Sequence, residues 1–264
     1  MRAVTPITPL LPDGCAVVAE IPSAEPPALV HPVWAAAFPW MVQGTTRRGD
    51  DSEPFDLGIF SGASPVEVVL NAWERLRQGS GCACVVHARQ VHGSEVRVHG
   101  EGPPGLHLAG PCDGHVTSAE GVLLAITVAD CVPVFVVDPA RRAVALLHAG
   151  WRGVAAGILE RGLAVLREYA GATTADLHVH LGPAICGRCY EVGPEVFERL
   201  GLPVPSAPAS VDLRAVVALR AVAARVPASR VSVSAHCTRC GDADLFSHRG
   251  GDRARQVGYL GIRP

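Results

Sequence analysis

Three residues of this sequence carry side chains that bind transition metals and stand where strands are predicted to end. His92 closes the stretch CVVHARQVHG, Cys131 follows VLLAITVAD, and His148 ends AVALLHAG. Because pairing brings the ends of separate strands together, we expect these side chains to converge. Two imidazoles and a thiolate suit zinc, or alternatively copper, and three protein ligands leave a fourth position for water or substrate. The alternative is a buried apolar cysteine with two hydrogen-bonded histidines.

Asp130 stands beside the thiol in the sequence. Its carboxylate is a candidate for orienting a metal ligand or for moving a proton. In a metal-free alternative, Cys131 is a nucleophile, His148 its base, and His92 or Asp130 the orienting group. These four residues are therefore the candidate catalytic residues under both hypotheses.

Three arginines are candidates for binding phosphate. Arg152 lies in HAGWRG, where a strand is predicted to pass directly into a helix whose N-terminal amides favour anions. Arg47 in GTTRRGD and Arg249 in LFSHRGG could grip phosphate through their guanidinium groups. A tight turn and solvated arginines are the alternative interpretation of the same residues.

Two C-x-x-C pairs form a second cysteine group, Cys186 with Cys189 and Cys237 with Cys240. Such pairs are typical of structural zinc sites, but 47 residues lie between them here, against about 15–20 in the usual signature. We expect the pairs to lie close in space without sharing a second zinc ion. The remaining four cysteines are predicted to be structural: Cys15, Cys82, Cys84 and Cys112.

The elements that must position these residues follow from apolar patterning. Residues 64–78 are predicted to form a helix with Ser64 as N-cap and a stripe at Val66, Val69, Leu70, Trp73 and Leu76. Further helices are expected over 154–169 and 213–225, and strands over 84–92, 122–129, 132–138, 143–149, 176–182 and 230–235. The strand 132–138 should pair in a hairpin. The prediction is an α+β fold with mixed sheets flanked by helices, with residues 1–32 as an extension or linker and 33–264 as a single domain.

Composition excludes several classes of protein function. The chain has 264 residues, 48% of them hydrophobic, and a net charge of −2, which gives no general attraction for nucleic acid or anionic membranes. All basic residues are arginine, so chemistries that require a lysine amine are excluded. The proline-broken N-terminus and the absence of a long apolar run predict a cytoplasmic protein without a membrane span.

The motifs together resemble the bacterial laccase-domain family, also called polyphenol oxidases and purine nucleoside phosphorylases. The resemblance runs from about Trp34 to the C-terminus and rests on GTTRRGD, PFDLG, RQVHGSEV, CDGHVTS, VADCVPV, HAGWRGV, LGPAICGRCYEVG and CTRCGDADLFSHRG. It implies a layered fold similar to the catalytic domain of the cytotoxic necrotizing factors. It also implies that the family's metal-binding His, Cys and His correspond to His92, Cys131 and His148.

The resemblance further implies phosphorolysis of adenosine, guanosine or methylthioadenosine, together with adenosine deamination. The partners would then be purine nucleosides and phosphate, with no nucleic acid and no membrane. The chain departs from the family pattern at Asp56, at residues 185–188 and at Arg249-Gly250. Copper-dependent phenol oxidation, a cysteine hydrolase or amidase editing peptidoglycan precursors, and a zinc-stabilised binding module are the alternative functions.

Overall fold

The architecture is two seven-stranded sheets packed face to face, with helices on the outer face of each. A computed structural model describes residues 10–49 and 54–264. Its strands are β1 (Ala16–Val18), β2 (Ile21–Ser23), β3 (Ala28–Val30), β4 (Met41–Thr46), β5 (Cys84–Ala88), β6 (Val96–His99), β7 (Gly105–Ala109), β8 (Gly114–Thr117), β9 (Val122–Val128), β10 (Val132–Asp138), β11 (Ala143–Ala149), β12 (His178–Leu181), β13 (Glu191–Val192), β14 (Ala209–Ser210), β15 (Val231–Ser234) and β16 (Gln256–Ile262). Its helices are α1 (Pro32–Ala37), α2 (Val66–Ser80), α3 (Trp151–Ala155), α4 (Ile158–Ala170), α5 (Pro194–Leu200) and α6 (Leu213–Ala223).

The strands divide between two mixed sheets, which confirms the predicted α+β class. The first sheet has the order β1-β15-β12-β10-β11-β8-β6, and the second has the order β2-β3-β4-β16-β9-β5-β7. A separate hairpin joins β13 to β14. Helices α4, α5 and α6 share an apolar core with the first sheet, α2 shares one with the second sheet, and a third core lies between the sheets.

Side-chain alternation explains how the central strands serve two cores at once. In β11, Ala145 and Leu147 contact the helix side, whereas Val144 and Leu146 face the second sheet. Since alternate residues of a strand point to opposite faces, His148 shares the face of Val144 and Leu146. The imidazole therefore lies at the end of the space between the sheets.

The predicted hairpin of strand 132–138 is confirmed on one side. Strands β10 and β11 have the predicted bounds and pair antiparallel, with Pro133 opposite His148 and Val132 opposite Ala149. Strand β9, however, belongs to the second sheet. The chain crosses between the sheets at Asp130, whose φ of 88° turns it sharply.

Two helix predictions need correction. The helix expected over 64–78 runs from Val66 to Ser80, with Pro65 rather than Ser64 at its N-cap, and Val66 and Leu70 of the expected stripe are exposed. The helix expected over 154–169 is two helices, because Gly157 between them adopts a φ of 82°. Within the described ranges, no helix has the length and apolar character needed to cross a membrane.

The N-terminal segment contributes short strands to both sheets. In the part described, from residue 10, β1 pairs with β15 in the first sheet, and β2 and β3 extend the second sheet beside β4. The apolar pattern does not predict these strands, because each is only three residues long and the segment is rich in proline. Both sheets therefore use this segment as an edge.

Candidate metal centre and active site

The structure brings His92, Cys131 and His148 together at one end of the two sheets. One ligand atom from each residue lies within 4.8 Å of the other two. The two imidazole rings stand nearly perpendicular, at 78°, with centroids 4.8 Å apart. His148 is buried, Cys131 is partly exposed and His92 is exposed. The group is therefore open to solvent on one side.

Each of the three residues reaches this point from a different kind of element. His148 is the penultimate residue of β11, and Cys131 directly precedes β10. The strand expected over 84–92 ends at Ala88, so His92 is not a strand-end residue. It lies in the following loop with a φ of 60°, an uncommon conformation for a residue with a side chain.

Gly150 makes the close approach possible. The register that pairs Val132 with Ala149 carries Cys131 to a position across from Gly150. A Cβ on Gly150 would lie 3.0 Å from the Cys131 sulfur and 2.9 Å from Cδ2 of His92. A larger residue would therefore displace two of the three candidate ligands.

Asp113 supports the two histidines and was missed by the sequence analysis. Its Oδ1 accepts hydrogen bonds from Nδ1 of His148 and from the backbone N–H of His92, both at 2.9 Å. Its Oδ2 accepts from the N–H groups of Gly93, at 2.8 Å, and Val91, at 3.2 Å. Because Nδ1 of His148 is engaged, Nε2 is left as the ring nitrogen for the cluster.

The neighbouring histidines stabilise the thiolate form of Cys131. Burial disfavours ionisation of Cys131, but the attraction and hydrogen bond of His148, with a further hydrogen bond from His92, lower the thiol pKa to about 6. Burial likewise opposes protonation of His148, yet Cys131 and Asp113 raise its pKa to about 9. The cluster thus favours the thiolate, which is the form of cysteine that binds metals and attacks electrophiles.

The carboxylate of Asp130 accepts hydrogen bonds from two C-terminal loops. Its Oδ1 accepts from the hydroxyls of Thr238, at 2.6 Å, and Ser247, at 2.8 Å, and its Oδ2 accepts from the N–H of Arg249, at 2.7 Å. These bonds occupy the carboxylate. Asp130 therefore ties two C-terminal loops to the turn that carries Cys131.

Two cavities meet at the cluster. One, of about 280 Å³ and here called the apolar cavity, includes Trp151, Ile185, Tyr190 and Leu213 in its walls. The other, of about 420 Å³, is more polar. The two share four lining residues: His92, Ala129, Cys131 and His248.

The three predicted arginines do not share one location. Arg152 and Arg249 line the apolar cavity, where their guanidinium groups stack on Trp151, at 4.4 Å, and on Tyr190, at 5.1 Å. Arg47 instead lines a separate cavity, donates to the carbonyl of Ala243 and lies 3.7 Å from the Asp244 carboxylate. Arg47 therefore lies apart from the cavity that Arg152 and Arg249 line.

The fold and site together define a class: a two-sheet α+β domain with a His-Cys-His cluster between two cavities. Residues 42–263 match the family model described as "Multi-copper polyphenol oxidoreductase laccase". The chain belongs to this family, which confirms the resemblance seen in the motifs.

Two relatives whose names state an activity are similar to half or more of the chain. One is "Purine nucleoside phosphorylase YlmD" of Geobacillus stearothermophilus, 34% identical over 257 residues that cover 87% of this chain and 93% of that protein. Another is "Adenosine deaminase RL5" of an unknown prokaryotic organism, 39% identical over 150 residues that cover 52% of this chain and 56% of that protein.

Solved structures support the same architecture. The crystal structure of YlmD from Geobacillus stearothermophilus matches with a TM-score of 0.79 and 30% identity, over 86% of this chain and 93% of that one. The Bacillus licheniformis protein YfiH matches with a TM-score of 0.80 at 24% identity, over 89% and 96%, and supports the fold alone.

Proposed function

We propose that this protein is a metal-dependent purine nucleoside phosphorylase that also deaminates adenosine. Its substrates would be adenosine, guanosine or methylthioadenosine, with inorganic phosphate. The observation that carries the proposal is the convergence of His92, Cys131 and His148 where two cavities meet. The relatives named as a purine nucleoside phosphorylase and an adenosine deaminase support the same activities.

The donor set fits zinc. Thiolate and imidazole are ligands that zinc prefers, and the three donor atoms within 4.8 Å of one another suit a single ion with an open position. Asp113 holds the His148 tautomer, as is usual behind a metal-binding histidine. Zinc bound by these three residues would supply Lewis acidity and a lowered pKa for a bound water. Copper would fit the same donors.

The apolar cavity suits a purine base. Trp151, Tyr190 and Ile185 offer the flat and aliphatic surfaces on which a base packs. Arg152 and Arg249 extend over the two aromatic rings. Stacking restricts each guanidinium, so less side-chain entropy is lost when it binds a phosphate oxygen.

Phosphorolysis breaks the C1′–N9 bond of the nucleoside, forms a bond from phosphate oxygen to C1′, and leaves a proton on the departing base. Arg152 and Arg249 would hold phosphate, and His248, in the wall shared by both cavities, would deliver the proton. Most of the acceleration would come from holding the reactants in position. In deamination, water replaces the 6-amino group of adenosine and ammonia leaves, with no phosphate required.

Product analysis tests the proposal. The purified protein, with its metal quantified, is incubated with adenosine in the presence and absence of phosphate. We expect adenine and ribose 1-phosphate only with phosphate, and inosine in both. Cys131→Ala should abolish both reactions, whereas Cys15→Ala, which changes a cysteine outside the cluster, should retain them. Wild-type activity in Cys131→Ala would refute the proposal.

A cysteine hydrolase or amidase is the second candidate. It is favoured by the chain of contacts from the low-pKa thiol of Cys131 through His148 to Asp113, which is the order of nucleophile, base and orienting group. Hydrolysis of an amide in a peptidoglycan precursor by metal-free protein, abolished by thiol alkylation, would support it. Loss of that hydrolysis on metal removal would exclude it.

A further inference from the structure

The two C-x-x-C pairs lie at one edge of the first sheet. Strands β12 and β15 are parallel neighbours, with Val179 opposite Val231 and Leu181 opposite Val233. Parallel neighbours end at the same edge, so the turns that follow them meet there. The bridge between Ala184 and Cys237 continues the pairing into the cysteine turns. Long sequence separation is thus no obstacle, because the intervening segment forms a complete crossover.

The spacing of the four sulfur atoms fits one bound ion. The sulfurs of Cys186, Cys189, Cys237 and Cys240 all lie within 4.8 Å of one another, and those of Cys186 and Cys240 are 3.7 Å apart. Four ligands at about 2.3 Å from a tetrahedral zinc would be separated by about 3.8 Å. A disulfide would require about 2.05 Å. The arrangement therefore has the dimensions of a ligand set.

Hydrogen bonds in the turns support thiolates. The backbone N–H groups of Cys186 and Arg239 donate to the sulfur of Cys237, at 3.2 and 3.4 Å. Such bonds strengthen when the acceptor carries a negative charge. The Arg239 guanidinium, from one turn, also donates to the carbonyl of Cys189 in the other. The two turns are thus connected independently of any ion.

We propose that Cys186, Cys189, Cys237 and Cys240 bind a structural zinc ion that fastens the loop after β12 to the loop after β15. Four thiolates leave no open position, so this ion would take no part in the reaction. The sequence spacing weighed against a second zinc ion, whereas the distances between the four sulfur atoms favour one.

The zinc site would support the wall of the apolar cavity. Ile185 and Tyr190, which flank the first pair, both line that cavity. Thr238, inside the second pair, donates to the carboxylate of Asp130, and the N–H of Ile185 donates to the carbonyl of Asp130 at 3.1 Å. Hydrogen bonds therefore connect the two cysteine turns to the turn that carries Cys131.

Metal analysis of variants tests the site separately from activity. The wild-type protein should contain two zinc ions per chain, and Cys189→Ser with Cys240→Ser should lose one. Cys131→Ser, the matched control in the other cluster, should lose the other ion. Zinc X-ray absorption on Cys131→Ser should then report four sulfur neighbours at about 2.3 Å.

The absorption measurement remains decisive if the double variant fails to fold, because it uses a chain in which the four cysteines are intact. Two outcomes would overturn the proposal. One is a Cys131→Ser protein that contains no zinc when purified from zinc-supplemented cells. The other is a Cys186 to Cys240 disulfide in the reduced-purified protein, found by mass spectrometry.

Discussion

Asp113→Asn perturbs the group that holds two of the three candidate metal ligands. The two carboxylate oxygens accept four hydrogen bonds, two each, from the His148 ring and from three backbone N–H groups. An asparagine keeps one oxygen and presents an NH₂ group in place of the other. Whichever way the amide is turned, its NH₂ group faces two of the four N–H donors, and those two donors are left without an acceptor.

The size of the effect follows from those two lost bonds. Each buried donor without an acceptor costs roughly 1–3 kcal/mol, so the loss of two acceptors should lower the free energy of unfolding by about 2–6 kcal/mol. Losing the partner of a metal-binding histidine should weaken zinc affinity by about 10–100-fold. Both effects arise although Asp113 has no place in the cluster itself.

The assay combines urea unfolding with zinc competition against a chromophoric chelator. Asp13→Asn is the matched control, because Asp13 is exposed in a turn of the N-terminal segment, and its unfolding free energy should change by less than about 0.5 kcal/mol. An Asp113→Asn protein with wild-type stability and wild-type zinc affinity would refute the role given to this carboxylate.

Three further predictions concern the site and the core. Gly150→Ala should reduce zinc content and activity at least tenfold, because its methyl group would collide with the thiol and an imidazole, while Gly100→Ala, with open space around it, should behave as wild type in the same assays. Burial lowers the pKa of His87 to about 4, so the unfolded chain takes up a proton near pH 6.5 and the folded chain does not. The free energy of unfolding should therefore fall as pH drops from about 6.5 to 4. His87→Phe should remove up to about 3 kcal/mol of that loss, measured as the change in unfolding free energy between pH 7 and pH 4.5. An unchanged dependence of the unfolding free energy on pH in His87→Phe would contradict this. Arg249→Met should raise the KM for phosphate about tenfold with deamination retained, whereas Arg47→Met should not; equal effects would show that both or neither bind phosphate.

The central strands could be predicted from the sequence because their signal is local. Strands β10 and β11 are continuous apolar runs separated by a turn, and their predicted and observed bounds agree. Which sheet each strand joins is not local. The separation of β9 from β10 depends on the backbone turn at Asp130, and nothing in the apolar pattern of the strands indicates it.

The candidate metal ligands could be identified from residue type, whereas their supports could not. His148 and Cys131 are recognisable beside apolar strands, but Asp113 becomes relevant only when β8 pairs with β11 and brings the carboxylate to the imidazole. Asp130 is the reverse case. Its adjacency to Cys131 was visible in the sequence, whereas its hydrogen bonds from the loops that carry Thr238 and Ser247 were not.

If the His92, Cys131 and His148 cluster holds a metal ion, nucleoside phosphorolysis should depend on that ion. The most direct measurement is phosphorus NMR of ribose 1-phosphate formed from adenosine and inorganic phosphate. It is made on the purified protein, on the same protein after chelation, and after zinc is restored. We predict formation, loss and recovery of ribose 1-phosphate, with no recovery in Cys131→Ala. Undiminished formation of ribose 1-phosphate by protein shown to be free of metal would contradict this dependence on the metal.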